Sequence, residues 1–223
     1  RIGRKDRFMS SAQAPSIPAS HLTRGYLICL AATLALAFTG IFIRYLPLTY
    51  QVPPLVLAFW RDVFVTLILL VFLLVLRPSL LRVRWQDFIF LALYGLLLAF
   101  FNALWTYSVV LNGAAVATVL AYCSAAFTAI LGWMFLKETL GIAKVIAVLL
   151  GLLGCVFVSG ANDPQAWQVN TLGILTGIIA GLAYAIYSLF GKVAANRRLH
   201  PASTILYIFA LASVFLLIMI LLP

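Results

Sequence analysis

The sequence predicts an all-α polytopic membrane protein with seven transmembrane helices, and three observations carry that prediction. Of the 223 residues, 65% are hydrophobic and only 9% are charged, with a mean hydropathy of +1.14. That leaves too little polar surface to cover a water-soluble domain. A spanning helix needs about 20 mostly apolar residues, and seven runs of that kind can be read along the chain. A membrane-spanning strand would instead alternate apolar and polar residues over about ten positions, and no run here alternates.

The runs cover roughly residues 26–46, 55–76, 88–111, 114–136, 142–160, 172–192 and 203–222. The first two are separated by "PLTYQVPP". The third and fourth are joined by the tight turn "NGAA" at Asn112-Gly113, and no charge interrupts that pair between Asp87 and Lys137. "LKETLG" closes the fourth, with Glu138 beside Lys137 as a structural end; a coupling role for Glu138 is the alternative. The fifth and sixth are separated by "ANDPQAWQVN". The sixth carries Gly173, Gly177 and Gly181, a G-x3-G-x3-G stripe of the kind that lets helices pack closely. Residues 10–20, rich in Ser, Ala and Pro, are expected to be disordered.

The net charge of +10 is a topology signal and not a nucleic-acid signal. Arg1, Arg4, Lys5, Arg7 and Arg24 precede the first run. Arg77, Arg82 and Arg84 follow the second, Lys137 and Lys144 lie between the fourth and fifth, and Lys192, Arg197 and Arg198 follow the sixth. All fall on one side, the cytoplasmic side by the positive-inside rule, if the N-terminus is cytoplasmic. The opposite loops carry no Lys or Arg. The expected location is the plasma (bacterial inner) membrane, with the lipid bilayer and a small-molecule substrate as partners and no nucleic acid.

Cys29, Cys123 and Cys155 all lie inside apolar runs, and His21 and His200 lie in loops predicted to be cytoplasmic. No disulfide framework, CxxC, GxSxG or HExxH pattern occurs. No metal, cofactor or enzymatic activity is therefore expected.

A weak internal repeat links "FTGIFIRYLPLTYQVPPLVLAFW" with "AYAIYSLFGKVAANRRLHPASTILY": in each, an apolar run passes through a polar loop to a Pro, with an aromatic residue six positions on. If a unit holds five spans, the second copy enters the membrane from the opposite side, the inverted repeat of secondary transporters.

The chain resembles the EamA-type members of the drug/metabolite transporter superfamily. The resemblance rests on "TGIFIRYL", "PPLVLAFWRDVF", "NGAAVATVLAYCSAAFTAILGWMFLKETLG" and "IAKVIAVLLGLLGCVFVSG", with "LGILTGIIAGLAYAIYSLFGKVAA" similar to the start of a second unit. It implies ten helices in two inverted five-helix repeats. On that basis residues 1–25 are a cytoplasmic N-terminal segment, 26–160 the first repeat, 161–171 an outer loop and 172–223 the start of a second, truncated repeat. Three further spans are expected to follow, without which the chain should insert but not transport. The family often has a Pro where this chain has Ala125, so helix four should be less broken near Ser124.

Two sets of residues stand out as site candidates. Arg61 and Asp62 interrupt the second run about 10 Å from Pro54 at 1.5 Å per residue. Neighbouring positions point about 100° apart on a helix, so Arg61 and Asp62 are not expected to pair, whereas Arg44 on the first run is placed to meet Asp62. Trp60, Arg44, Arg61 and Asp62 then form either a structural lock or a gate. A proton-coupling role would have to use Asp62, the acid well inside a span. The second set is polar and aromatic and lies near mid-depth: Thr39, Asn102, Trp105, Tyr122, Ser124, Tyr184, Tyr187 and Ser188. Each has a packing alternative. Together they outline a cavity without a central fixed charge, suited to amino-acid-like, neutral or aromatic metabolites.

The function these readings support is secondary transport by alternating access, in the export direction. The alternative is a seven-helix receptor or a scaffold. A retinal protein would need a Schiff-base Lys in the seventh helix, and residues 203–222 contain none.

Overall fold

The structure is a computed structural model that describes residues 19–136, 141–159 and 171–222. Its helices are α1 (Ala19–Tyr50), α2 (Pro54–Leu76), α3 (Trp85–Tyr122), α4 (Ser124–Leu136), α5 (Ile142–Ser159), α6 (Thr171–Asn196) and α7 (Pro201–Leu221), with a 3₁₀ turn at Pro78–Leu81. No strand occurs among the described residues. The chain divides into two compact units, Arg1–Thr39 and Gly40–Pro223.

In the first unit, α1 is already helical from Ala19, so the regular structure begins earlier than the sequence indicated. Tyr26, Leu27, Ile28, Leu30 and Leu34 are all exposed, and Thr33 donates to the Cys29 carbonyl at 2.8 Å. That bond satisfies a hydroxyl within its own helix, as an apolar surrounding requires.

The second unit is built around α3, which packs on α6 and α7, while α2 packs on α7. Among the described residues, five segments are long and apolar enough to cross a membrane, and one of them, Trp85–Phe135, has 51 residues. A straight helix of that length would measure about 76 Å, far beyond a hydrocarbon core of about 30 Å. The chain reverses at Gly113, whose φ of 84° and ψ of 159° break the helix. The neighbours along α6 show the reversal. Asn112 lies against Gly173, both Ser108 and Leu120 lie against Gly177, and Leu120 and Ser124 lie against Gly181. One arm therefore runs antiparallel to α6 and the other returns along it. Counting both arms gives six long apolar segments among the described residues, and the shorter apolar helix α5 makes a seventh, in rough agreement with the seven runs read from the sequence.

Two conditions require glycine at Gly113. Positive φ disfavours a side chain, and the Arg44 guanidinium occupies the space that a Cβ would need. The glycine stripe of α6 is a packing surface: a Cβ on Gly177 would stand 2.6 Å from Leu120 Cδ1, and one on Gly181 would stand 2.9 Å from the Leu120 carbonyl. At the tip, the Asn112 carboxamide is buried with no hydrogen-bond partner among the described residues, wedged against Gly173.

The larger cluster of buried apolar side chains is shared by α2, α3, α6 and α7 and includes Ala58, Leu91, Leu98, Ala194, Ile208 and Leu216. A second cluster of Ile43, Val109 and Ala117 draws in Leu57 and Trp105 and ties the end of α1 to the hairpin. The outward face of α2 shows Phe64, Leu67, Ile68, Val71 and Val75 to the surroundings. Such a continuous apolar face is stable only against lipid or protein. The helices and this surface make the chain a multi-pass membrane protein. Opposite the Gly113 turn, Ser203 Oγ donates to the Leu80 carbonyl at 2.7 Å and Tyr207 Oη to that of Leu81 at 2.5 Å. Together they fasten the α2–α3 connection to α7.

Candidate functional site

The site begins on α2. Pro54 occupies its first turn, where a missing amide hydrogen costs nothing. The buried residues Ala58, Asp62 and Leu73 define its inner face. Asp62 is completely buried. Its Oδ2 accepts from Asn102 Nδ2 of α3 at 2.7 Å, and its Oδ1 accepts from Arg61 Nε at 3.4 Å. Asn102 is itself buried, so its carboxamide joins two helices through one charged acceptor. Thr66 and Thr106 turn their hydroxyls back onto the carbonyls of Asp62 and Asn102, at 2.8 and 2.7 Å.

This arrangement corrects two expectations. No Arg44–Asp62 pair forms among the described residues, because the Arg44 guanidinium lies over Gly113 instead. Arg61 and Asp62, expected not to pair, do meet. The 100° separation applies to their Cα–Cβ directions, and the long Arg stem bends back far enough to cross it, though only to a distant 3.4 Å contact.

Arg61 also begins an aromatic column. Its guanidinium carbon stands 5.8 Å above the Trp105 ring. From there ring centroids follow one another: Trp105 to Phe101 at 6.4 Å, Phe101 to Tyr184 at 5.0 Å, Tyr184 to Tyr187 at 5.7 Å and Tyr187 to Tyr94 at 4.8 Å. Tyr94 leads to Phe190 at 5.6 Å, and Phe190 stacks on Phe90 at 5.4 Å. The far end is capped by Arg197, 4.4 Å above Phe90 and 3.9 Å from Asp87. Offset and edge-on pairs of this kind are favourable beyond the area they bury. Phe90 and Trp105 are fifteen positions apart on one helix, about 22 Å at 1.5 Å per residue, so the column covers most of a bilayer core.

Of the residues singled out in the sequence, the fold brings together Arg61, Asp62, Asn102, Trp105, Tyr184 and Tyr187. Trp60 is exposed and packs instead on Phe59 and Phe64. Tyr122 is exposed. Ser124 is buried where its amide approaches Gly181, and Ser188 spends its hydroxyl on the Tyr184 carbonyl at 3.0 Å. Thr39 belongs to the first unit, and Glu138 lies outside the described residues. Near Ser124 the helix is interrupted at Cys123 alone, whose amide donates to the Leu120 carbonyl at 3.2 Å. Sequence reasoning passed over Phe90, Tyr94, Phe101, Phe190 and Arg197. The steps from 90 to 94 and from 101 to 105 on α3, and 184, 187, 190 on α6, are helical repeats of aromatic residues that could have revealed the column.

Comparison with known proteins places these features in context. The profile of the EamA-like transporter family matches residues 23–160. An uncharacterized transporter of Archaeoglobus fulgidus is 29% identical over 114 residues, half of this chain and 39% of the relative. The matched stretch is thus well under two thirds of that relative's length. A protein of known crystal structure superposes with a TM-score of 0.56 at 22% identity, covering 86% of this chain and 68% of the other, a likeness of fold.

Proposed function

The chain belongs to the EamA-like transporter family, and from that premise we propose that it forms part of a secondary transporter exporting a small amino-acid-like, neutral or aromatic metabolite across the plasma membrane by alternating access. The observation that carries this reading is the aromatic column between α3 and α6. It covers most of the bilayer depth, and Tyr184 keeps an exposed edge. Ring faces hold flat or apolar solutes without fixing them, so a solute can move along them. The side-chain amide of Asn102 and the phenol groups offer neutral hydrogen bonds beside the rings. The Lys and Arg distribution supports a cytoplasmic N-terminus, with the 3₁₀ turn at Pro78–Leu81 on the same side.

Cells expressing the gene should export p-fluorophenylalanine faster than control cells and should resist its toxicity. Equal intracellular accumulation with and without expression would remove the support for this substrate range. Orientation is checked separately by labelling intact cells in a background without native cysteines. Val52→Cys should react with an impermeant maleimide and Ser79→Cys should not.

A further inference from the structure

Arg61 is an under-used cation. A guanidinium offers five N–H donors, yet among the described residues its only hydrogen bond is the 3.4 Å contact from Nε to Asp62. The side chain keeps 24% of its surface exposed, whereas that of Asp62 keeps none. The side chain therefore reaches an accessible edge of the column, with its guanidinium carbon 5.8 Å over Trp105, and among the described residues its terminal nitrogens make no hydrogen bond. A planar fork of this kind matches a carboxylate, which accepts two parallel N–H bonds at shorter range than the contact Arg61 now makes.

Asp62 is in the opposite position. Among the described residues, the charged or titratable groups that face it are Arg61 on its own helix and Tyr187 on α6, whose ring packs in turn on Tyr94 of α3 at 4.8 Å. Asn102 contributes a neutral donor. On α7, Tyr207 is committed to the Leu81 carbonyl, and Arg44 of α1 is held at Gly113. One cation therefore balances a carboxylate that has no access to water. A buried carboxylate that loses its only cation is destabilised severely unless it becomes neutral.

We propose that Arg61 is an exchangeable counter-ion: the carboxylate of an aromatic acid resting on Trp105 and Phe101 takes the guanidinium from Asp62, and Asp62 takes up one proton from solution in return. The exchange conserves charge. Before it, the site holds Arg61 paired with ionised Asp62, and the solute carboxylate and a proton are free. After it, Arg61 is paired with the solute carboxylate, and the Asp62 carboxyl is neutral and still accepts from Asn102. This rests on the transporter reading and narrows its substrate class to carboxylate-bearing aromatic compounds.

The test uses the purified chain in detergent with benzoate and its neutral, same-sized counterpart benzamide. Binding is read from tryptophan fluorescence and proton uptake from a pH-indicating dye in weak buffer. Benzoate should bind roughly tenfold tighter than benzamide and should draw in about one proton per molecule bound. Asp62→Asn should bind benzoate at least as well as the parent with no proton uptake, since nothing then competes for Arg61. Arg61→Gln should lose the preference for benzoate, and Arg61→Lys, which keeps the charge and protects the fold, should weaken it. Benzoate binding without proton uptake, undiminished uptake in Asp62→Asn, or equal affinity for the two probes would each overturn the proposal. Export of p-fluorophenylalanine by cells would still stand in those cases, so the two readings fail separately.

Discussion

The two ends of the aromatic column carry the same parts in different surroundings. Each has an Arg over a ring with an Asp beside it. At one end Arg61 and Asp62 keep 24% and 0% of their side-chain surface exposed; at the other, Arg197 and Asp87 keep 45% and 17%. Water screens the second pair and lets either member stand alone at little cost. It cannot reach Asp62, so there the loss of one partner strands the other. The geometric contact is similarly loose at both ends, 3.4 Å and 3.9 Å. Burial, and not the quality of the contact, therefore sets what each pair is worth.

The largest expected effect follows from that contrast. Arg61→Ala should cost about 3–5 kcal/mol in detergent unfolding at alkaline pH, where Asp62 is left as an uncompensated buried charge, and less as the pH falls and Asp62 becomes neutral. Adding Asp62→Asn should recover most of the loss. A double-mutant cycle measures the coupling, and simple additivity would mean that the pair is not energetically joined.

The next effect concerns the interface that assembles the column. Gly181→Ala would set a methyl 2.9 Å from the Leu120 carbonyl, a backbone atom that cannot swing aside. Overpacking of this kind costs about 1–3 kcal/mol, and α6 should shift away from α3. Thermal denaturation gives the loss, and weaker fluorescence coupling between Trp105 and Tyr184 would report the shift.

Tyr187→Phe removes a phenol hydroxyl beside Tyr94 but keeps the ring, whose centroid lies 4.8 Å from that of Tyr94. Polar contacts between membrane helices average about 0.6 kcal/mol, so the variant should unfold only slightly earlier. A loss several times greater would mark the hydroxyl, and not the ring, as a main tie of the column. The smallest effect is expected at the exposed end. Arg197→Gln should change stability by no more than a few tenths of a kcal/mol, fading as salt is raised. A loss comparable to that of Arg61→Ala would erase the distinction between the two ends.

The membrane class and the number of segments were legible in the sequence, because lipid imposes a length and a hydropathy that each run must satisfy by itself. The reversal at Asn112-Gly113 was equally legible, since positive φ calls for glycine locally. So was the packing role of Gly173, Gly177 and Gly181, which follows from their spacing on one helix face. In each case the determinant lies within a few residues of chain.

Partner choice was not legible in this way. Arg44, Arg61 and Asp62 could be placed by depth, but which of them meet depends on how α1, α2 and α3 are rotated about their axes, and that is fixed by Ile43, Leu57, Trp105 and Val109 packing together. Likewise, the aromatic residues of α3 and α6 repeat visibly along each helix. Only the close approach permitted by the glycine stripe turns two separate stripes into one column with an arginine at either end. The sequence determined by itself that the chain is helical, embedded in the membrane and folded back at Gly113, because those properties follow from local conformation and transfer to lipid. The tertiary structure decided that Asp62 answers to Arg61 and Asn102, because a buried charge takes whichever donors helix packing sets within reach.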